Sequence, residues 1–193
     1  MKITKYIPLL LSILLFTACS GNKNILQDKM SKYPYQEYIT KIVSAEEKQE
    51  AKDLALIDIK KLFDDLPDTD GSKERRALIL SQAEVVEWWK APDGEDRYYA
   101  LAVLKREPAL QIMEPYYASI DPQLQNLTTK INTEQDKFLR LKYAISMPEL
   151  ITKRDDLDNE YKKISYEATP YQEAIIYNAR SAYNKTFYDI KIN

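Results

Sequence analysis

Carboxylates are the side chains of this sequence best equipped for chemistry. Glu84 and Glu87 bracket an apolar run, and Asp93, Glu95 and Asp96 crowd the turn after it. A glycan hydrolase needs two such carboxyls roughly 5 to 9 Å apart, in environments that push their pKa values apart. Nothing in the spacing builds that cleft, so solvated loop charge is the expectation. Composition excludes the other catalytic sets. With no histidine and one cysteine in 193 residues, the chain forms no Ser-His-Asp or Cys-His relay, no His- or Cys-ligated metal site and no internal disulfide. Three glycines leave no Gly-rich phosphate cradle. Asp64, Asp65, Asp68 and Asp70 gather before Gly71. A calcium loop with Gly71 at its sixth position would put Leu66 first and Ala77 last, where Asp and Glu are needed. No catalytic residue, metal or cofactor is therefore expected, with loose surface calcium binding by the four aspartates the lesser alternative.

A second cluster is aromatic. Trp88, Trp89, Tyr98 and Tyr99 flank the turn chemistry of residues 91–96 and would face each other across a hairpin. Such rings can stack on a sugar, peptidoglycan for example, or pack under another element. Successive strand residues point to opposite faces, so at most one Trp enters the core. Packing beneath a helical arm is the expected fate, with a glycan site or a protein interface as alternatives. Lys+Arg 28 against Asp+Glu 30 gives a net charge of -2, without the basic excess that a phosphate backbone demands. No nucleic-acid partner is expected.

The single cysteine has a use of its own. Lys2 and Lys5 form a positive start, and Ile7 to Phe16 supply an apolar run interrupted only by Pro8 and Ser12. That run is too short for a bilayer core, which takes roughly 20 residues, and reads as a signal peptide. Leu15-Phe16-Thr17-Ala18-Cys19 resembles the bacterial lipobox, with Phe16 where Leu is usual. The resemblance implies that the Cys19 thiolate takes a diacylglycerol thioether and becomes the mature N-terminus. Several acyl chains, palmitate among them, then anchor durably, each buried methylene contributing roughly 0.8 kcal/mol. Ser20 after the cysteine implies passage to the outer membrane. Cleavage removes Lys2 and Lys5 and no acid, leaving 26 basic against 30 acidic residues, or -4. The expected membrane attachment is lipidic, not electrostatic.

These residues need elements to carry them. Residues 1–18 are read as the signal peptide and 19–32 as a polar tether, with order beginning near Tyr33-Pro34. An α+β domain over residues 33–106 follows: a strand at residues 38–43, a capping box of Ser44 and Glu47, and an amphipathic helix on Ala51, Leu54, Ala55, Ile59 and Leu62. Residues 77–89 read as a strand whose first half could be helical. The continuous apolar run Tyr98 to Leu104 has the character of a central strand. The order strand, helix, strand, strand predicts a small open sheet.

Residues 107–193 are read as a helical hairpin or arm with a C-terminal segment. Leu110, Met113, Tyr117, Ile120, Leu124, Leu127 and Ile131 recur at alternating spacings of three and four, a heptad seam. It would form a hairpin core or, alternatively, a self-association surface. Pro108, Pro115 and Pro122 stand seven apart, and the latter two should kink or break the helix. Phe138, Leu141 and Ile145 mark the next helix. Ser146 and Glu149 propose a capping box for another from Pro148 to about Tyr166 on Leu150, Leu157, Tyr161 and Ile164. A last helix is read over residues 171–183 of the Tyr-rich C-terminal segment.

Lys32-Tyr33-Pro34-Tyr35, Glu50-Ala51, Ala55-Leu56 and the block from Tyr98 to Arg106 together resemble the twenty-kilodalton bacterial membrane-associated lipoprotein family, of which the N-terminal domain of a flagellar assembly protein is a distant relative. The likeness spans about Tyr33 to Leu110. It departs where the family carries glycines after its first strand and a long serine-rich connection before its tryptophan strand. It implies an α+β fold, outer-membrane attachment and no enzymatic activity. The expectation is a lipid-anchored binding or scaffold module facing the periplasm or surface-exposed, with an envelope protein or peptidoglycan as partner. A carboxylate-dependent glycan-acting enzyme and a self-associating structural protein are the alternatives.

Overall fold

The computed structural model describes residues 25–92, 94–167 and 171–191. The signal segment, Cys19 and Asp93 lie outside them. The chain is α+β, and it divides into two units. One takes Lys61 and the described residues before it together with Ala83–Lys105; the other takes Leu62–Gln82 and Arg106–Asn193. Sequence had placed 62–82 inside a contiguous α+β domain. It groups instead with the helices, because its helix buries Arg75, Arg76 and Ile79 there.

The first unit begins with a helix, α1, over residues 25–31. Part of the expected tether is thus structured. Lys29 and Lys32 at its end both pair with Glu87. Strands β1 (Tyr38–Ala45), β2 (Glu84–Lys90) and β3 (Tyr98–Lys105) form an antiparallel sheet in the order β1-β3-β2, the small open sheet expected. Central β3 buries five successive residues, Ala100 to Leu104, which is why its run is continuously apolar rather than alternating. Helix α2 (Lys48–Lys60) packs on β1 and β3 through Ala51, Ala55 and Ile59, one residue per turn. Leu54, expected on that stripe, is exposed. The Ser44 capping box does not form. Ser44 and Ala45 pair with Tyr99 and Tyr98 in the sheet ladder, so the helix starts later, at Lys48, with Glu47 as its N-cap and no side-chain cap. Val86 sits at a bulge that shifts the β2 register.

The second unit contains α3 (Ser72–Leu80), α4 (Arg106–Thr133), α5 (Lys137–Ile145), α6 (Met147–Ile164) and α7 (Glu173–Lys191). It is a packed unit with its own core. Gly71, at φ +72°, supplies the left-handed turn into α3 that other residues adopt only at a cost. The Ser72 hydroxyl closes that turn by donating to the Thr69 carbonyl at 2.8 Å. The α4 seam packs against α6 and α7. Met113, Tyr117, Ile120, Leu124 and Ile131 are buried, and Leu110 and Leu127 half-buried. Burying each of the large apolar side chains stabilises the unit by about 1.5–3 kcal/mol. The seam thus serves the interior of this unit, and most of it is not presented as a surface for a second copy.

Pro115 and Pro122 lie inside α4 and do not break it, since the helix continues through both. They project half a turn away from the seam, on the exposed face, where water can take up the carbonyls left without an N–H donor. Their seven-residue spacing is the seam's own period seen from the opposite side. The Ser146 capping box is also absent. Ser146 is helical (φ -83°, ψ -6°), so its hydroxyl donates back to the Lys142 carbonyl, while Glu149 accepts from Lys153. The cap that does form is Asp136, whose carboxylate accepts from the Phe138 and Leu139 amides.

Candidate functional site

Two buried ionic clusters organise the helical unit. Glu160 on α6, wholly buried, accepts from Arg75 at 2.5 and 2.9 Å and from Arg76 at 2.8 Å. One carboxylate thereby answers two guanidinium groups from adjacent positions of α3, and Arg76 also donates to the Pro67 carbonyl at 2.7 Å. The second cluster centres on Arg154, also wholly buried. It donates to Asp121 of α4 at 2.7 Å, to Asp158 one turn along α6, and to the Tyr171 carbonyl. The Tyr117 hydroxyl donates to Asp158 at 3.2 Å, and the Arg154 guanidinium lies 4.3 Å from the Tyr117 ring centre. Burial, then the Asp158 charge, pushes the Tyr117 phenol upward, keeping it a neutral donor. Removing Glu160 or Arg154, the charge each cluster shares, would leave its buried partners uncompensated, so these clusters hold α3, α4 and α6 in fixed positions.

Between those three elements lies a cleft of about 660 Å³. One wall comes from α4, where Tyr116, Ser119, Gln123 and Asn126 recur at spacings of three, four and three beside the seam. The facing wall comes from α6, with Glu149, Lys153 and Asp156, and the Gly71 turn and Arg75 close one end. Ile120, Leu127, Leu150 and Leu157 add apolar surface. Arg75 reaches both structures, its guanidinium lying 4.7 Å from the Tyr116 ring centre while it holds Glu160. Amides and hydroxyls on one side, charges of both signs on the other and an apolar lining suit recognition of a mixed polar and apolar surface. Sequence reasoning missed this site. Its one visible signal is the second 3-4-3 stripe on α4, polar and hence easily read as solvated surface.

The aromatic quartet is only partly brought together. Trp89 pairs with Tyr99 across β2 and β3, their rings stacked at 5.5 Å and 8°. Trp88 lies opposite Ala100 and Tyr98 opposite Lys90, so of the Trp and Tyr residues expected to face each other across the hairpin only Trp89 and Tyr99 do. Trp88 is 45% exposed. In place of the expected packing beneath a helical arm, it lies against α2, with Lys48 Nζ 3.3 Å from its ring centre and Lys52 at 5.8 Å. The carboxylates weighed for hydrolysis are dispersed. Glu87 bonds both Lys29 and Lys32, and the Lys29 hydrogen bond foremost pulls its carboxyl below the usual range, the wrong direction for a general acid. Glu84 is exposed, and Asp96 is exposed and paired with Lys90 at 3.0 Å. Asp65 and Asp68 face Lys163, Lys73 and Arg76. Among the described residues no group of three or more carboxylate or thiol side chains could hold a metal ion. Among them, too, no helix is long and apolar enough to cross a membrane.

No family model and no curated protein matches the chain. Among solved structures, the secreted protein HP1454 from the human pathogen Helicobacter pylori is similar at 20% identity, over 72% of this chain and 59% of that one, with a TM-score of 0.30. The chain spans less than two thirds of that protein, and a likeness this slight assigns no role.

Proposed function

We propose that this chain is a lipid-anchored bacterial envelope lipoprotein, held to the outer membrane by acyl chains on Cys19, and that its helical unit is a non-catalytic binding module. The observation that carries the binding role is the cleft itself. Its walls are fixed by fully engaged ionic clusters rather than by groups left available for proton transfer, a preorganised site that spends little on ordering when it binds. The lipobox-like run ending in Cys19 supports the address, and the resemblance of residues 33–110 to the twenty-kilodalton lipoprotein family supports the same reading. An envelope protein or peptidoglycan would fill the cleft.

Two measurements test this. Cells fed labelled palmitate should label the wild-type chain and not a Cys19→Ala variant; label on the variant would overturn the anchor. A photocrosslinking residue at Gln123, on the cleft wall, should give one dominant adduct in cells or bind isolated sacculi. Tyr116→Ala should weaken that capture. Adducts indifferent to Tyr116, and no retention by sacculi, would overturn the binding role.

A further inference from the structure

Helix α5 presents its apolar stripe to the outside. Phe138, Leu141 and Ile145 have the i, i+3, i+7 spacing of a core-facing stripe, which is how sequence marks this helix. Phe138 is nonetheless 84% exposed and Ile145 63%, with Leu141 half-buried, and α5 instead turns the small Ala144 inward. Lys137 and Lys142, both exposed, border the stripe on either side. Residues 137–145 carry three basic side chains and no acid, in a chain of net charge -2.

The nearby acids are engaged elsewhere. The Asp136 carboxylate caps α5, Glu134 accepts from the Asp136 amide, Glu149 pairs with Lys153, and Asp189 of α7 pairs with half-buried Arg140 at 3.4 Å. The outward face is therefore apolar along its middle and cationic along its borders. Side chains in that arrangement let a helix lie in a bilayer interface, rings and branched carbons below the headgroups and ammonium groups reaching the phosphates.

We propose that α5 docks in the plane of an anionic phospholipid surface through Phe138, Leu141 and Ile145, with Lys137 and Lys142 on the lipid phosphates. From the preceding reading the proposal takes only that the chain lies beside a bilayer. Charge complementarity favours a lipid surface over a second copy of the chain, whose identical cationic border would repel this one.

The test uses the full chain purified from membranes and reconstituted in phosphatidylethanolamine/phosphatidylglycerol vesicles doped with a diazirine-acyl phospholipid. Mass mapping after irradiation should place lipid adducts within residues 137–145. They should fall by about tenfold in the Phe138→Ser/Ile145→Ser variant, which touches only exposed positions and should fold normally. They should also fall in phosphatidylcholine vesicles and in Lys137→Glu/Lys142→Glu. The proposal is overturned by an absence of adducts on α5, by adducts unchanged across lipids and variants, or by α5-to-α5 crosslinks between copies. The intact mass reports acylation of Cys19 separately, so failure of the anchor and failure of the α5 contact are distinguishable.

Discussion

At the scale of single residues, the helical unit depends on charges that its interior cannot rehydrate. Glu160 sits between two arginines and has no access to water. Glu160→Gln keeps the shape and removes the charge, leaving buried Arg75 without a carboxylate and Arg76 with only the exposed Asp68 at 3.4 Å. We expect a loss of about 3–5 kcal/mol in urea unfolding. A loss under about 1 kcal/mol would mean that the pair behaves as a surface one. Glu87 makes a different prediction, in pH. Lys29 and Lys32 depress its carboxyl in the folded chain. A depressed acid contributes stability that is present above its unfolded pKa of about 4.3 and is lost as pH falls through the lower folded value. Protection of the residue 25–31 amides should therefore hold at neutral pH and fall progressively in acid, from about pH 4.3 downward. In Glu87→Gln it should be weak already at pH 7 and insensitive to pH. Hydrogen exchange on that segment measures both.

Elements show what local pattern can and cannot specify. The β3 run is legible because an unbroken apolar stretch of strand length has few uses but a covered strand, and the α4 seam because apolar residues at a fixed period have few other uses. The α5 stripe has the same period and faces outward, because periodicity establishes a face without naming what covers it. Arg75, Arg76 and Arg154 were illegible for another reason. Charged residues read as surface, and Arg75 finds its carboxylate 85 positions along the chain, a pairing that only the tertiary fold reveals. The prolines mark a similar limit. Pro122 would break an isolated helix, yet α4 persists because Ile120 and Leu124 bury the opposite face. Since the ring is exposed, Pro122→Ala should restore a backbone donor without disturbing the core. It should stabilise the unit by about 1–2 kcal/mol, the helix gain offset in part by a freer unfolded chain. Thermal unfolding decides the sign, and a destabilised variant would show that the local path imposed by proline is required by the packing.

For the molecule as a whole, the chain order and the spatial order differ. Residues 62–82 interrupt the sheet unit in sequence and belong to the helical unit in space, so the sheet must close a loop around them before β2 and β3 meet β1. Cooperative units in native-state exchange follow packing rather than sequence. A cavity placed in the helical core far from α3 therefore makes a discriminating test. Leu124 is fully buried on the α4 seam, and Leu124→Ala should cost about 2–5 kcal/mol. Amides of α3 should then exchange faster together with those of α4 and α6. Those of β2, which begins only four residues after α3 ends, should not follow them. The physical link is the Glu160 carboxylate, which ties Arg75 and Arg76 of α3 to α6 whatever the neighbouring strand does. If α3 instead exchanged in step with β2, sequence proximity would outweigh the buried ion cluster, and the division of the chain at Leu62 and Gln82 would have no energetic meaning.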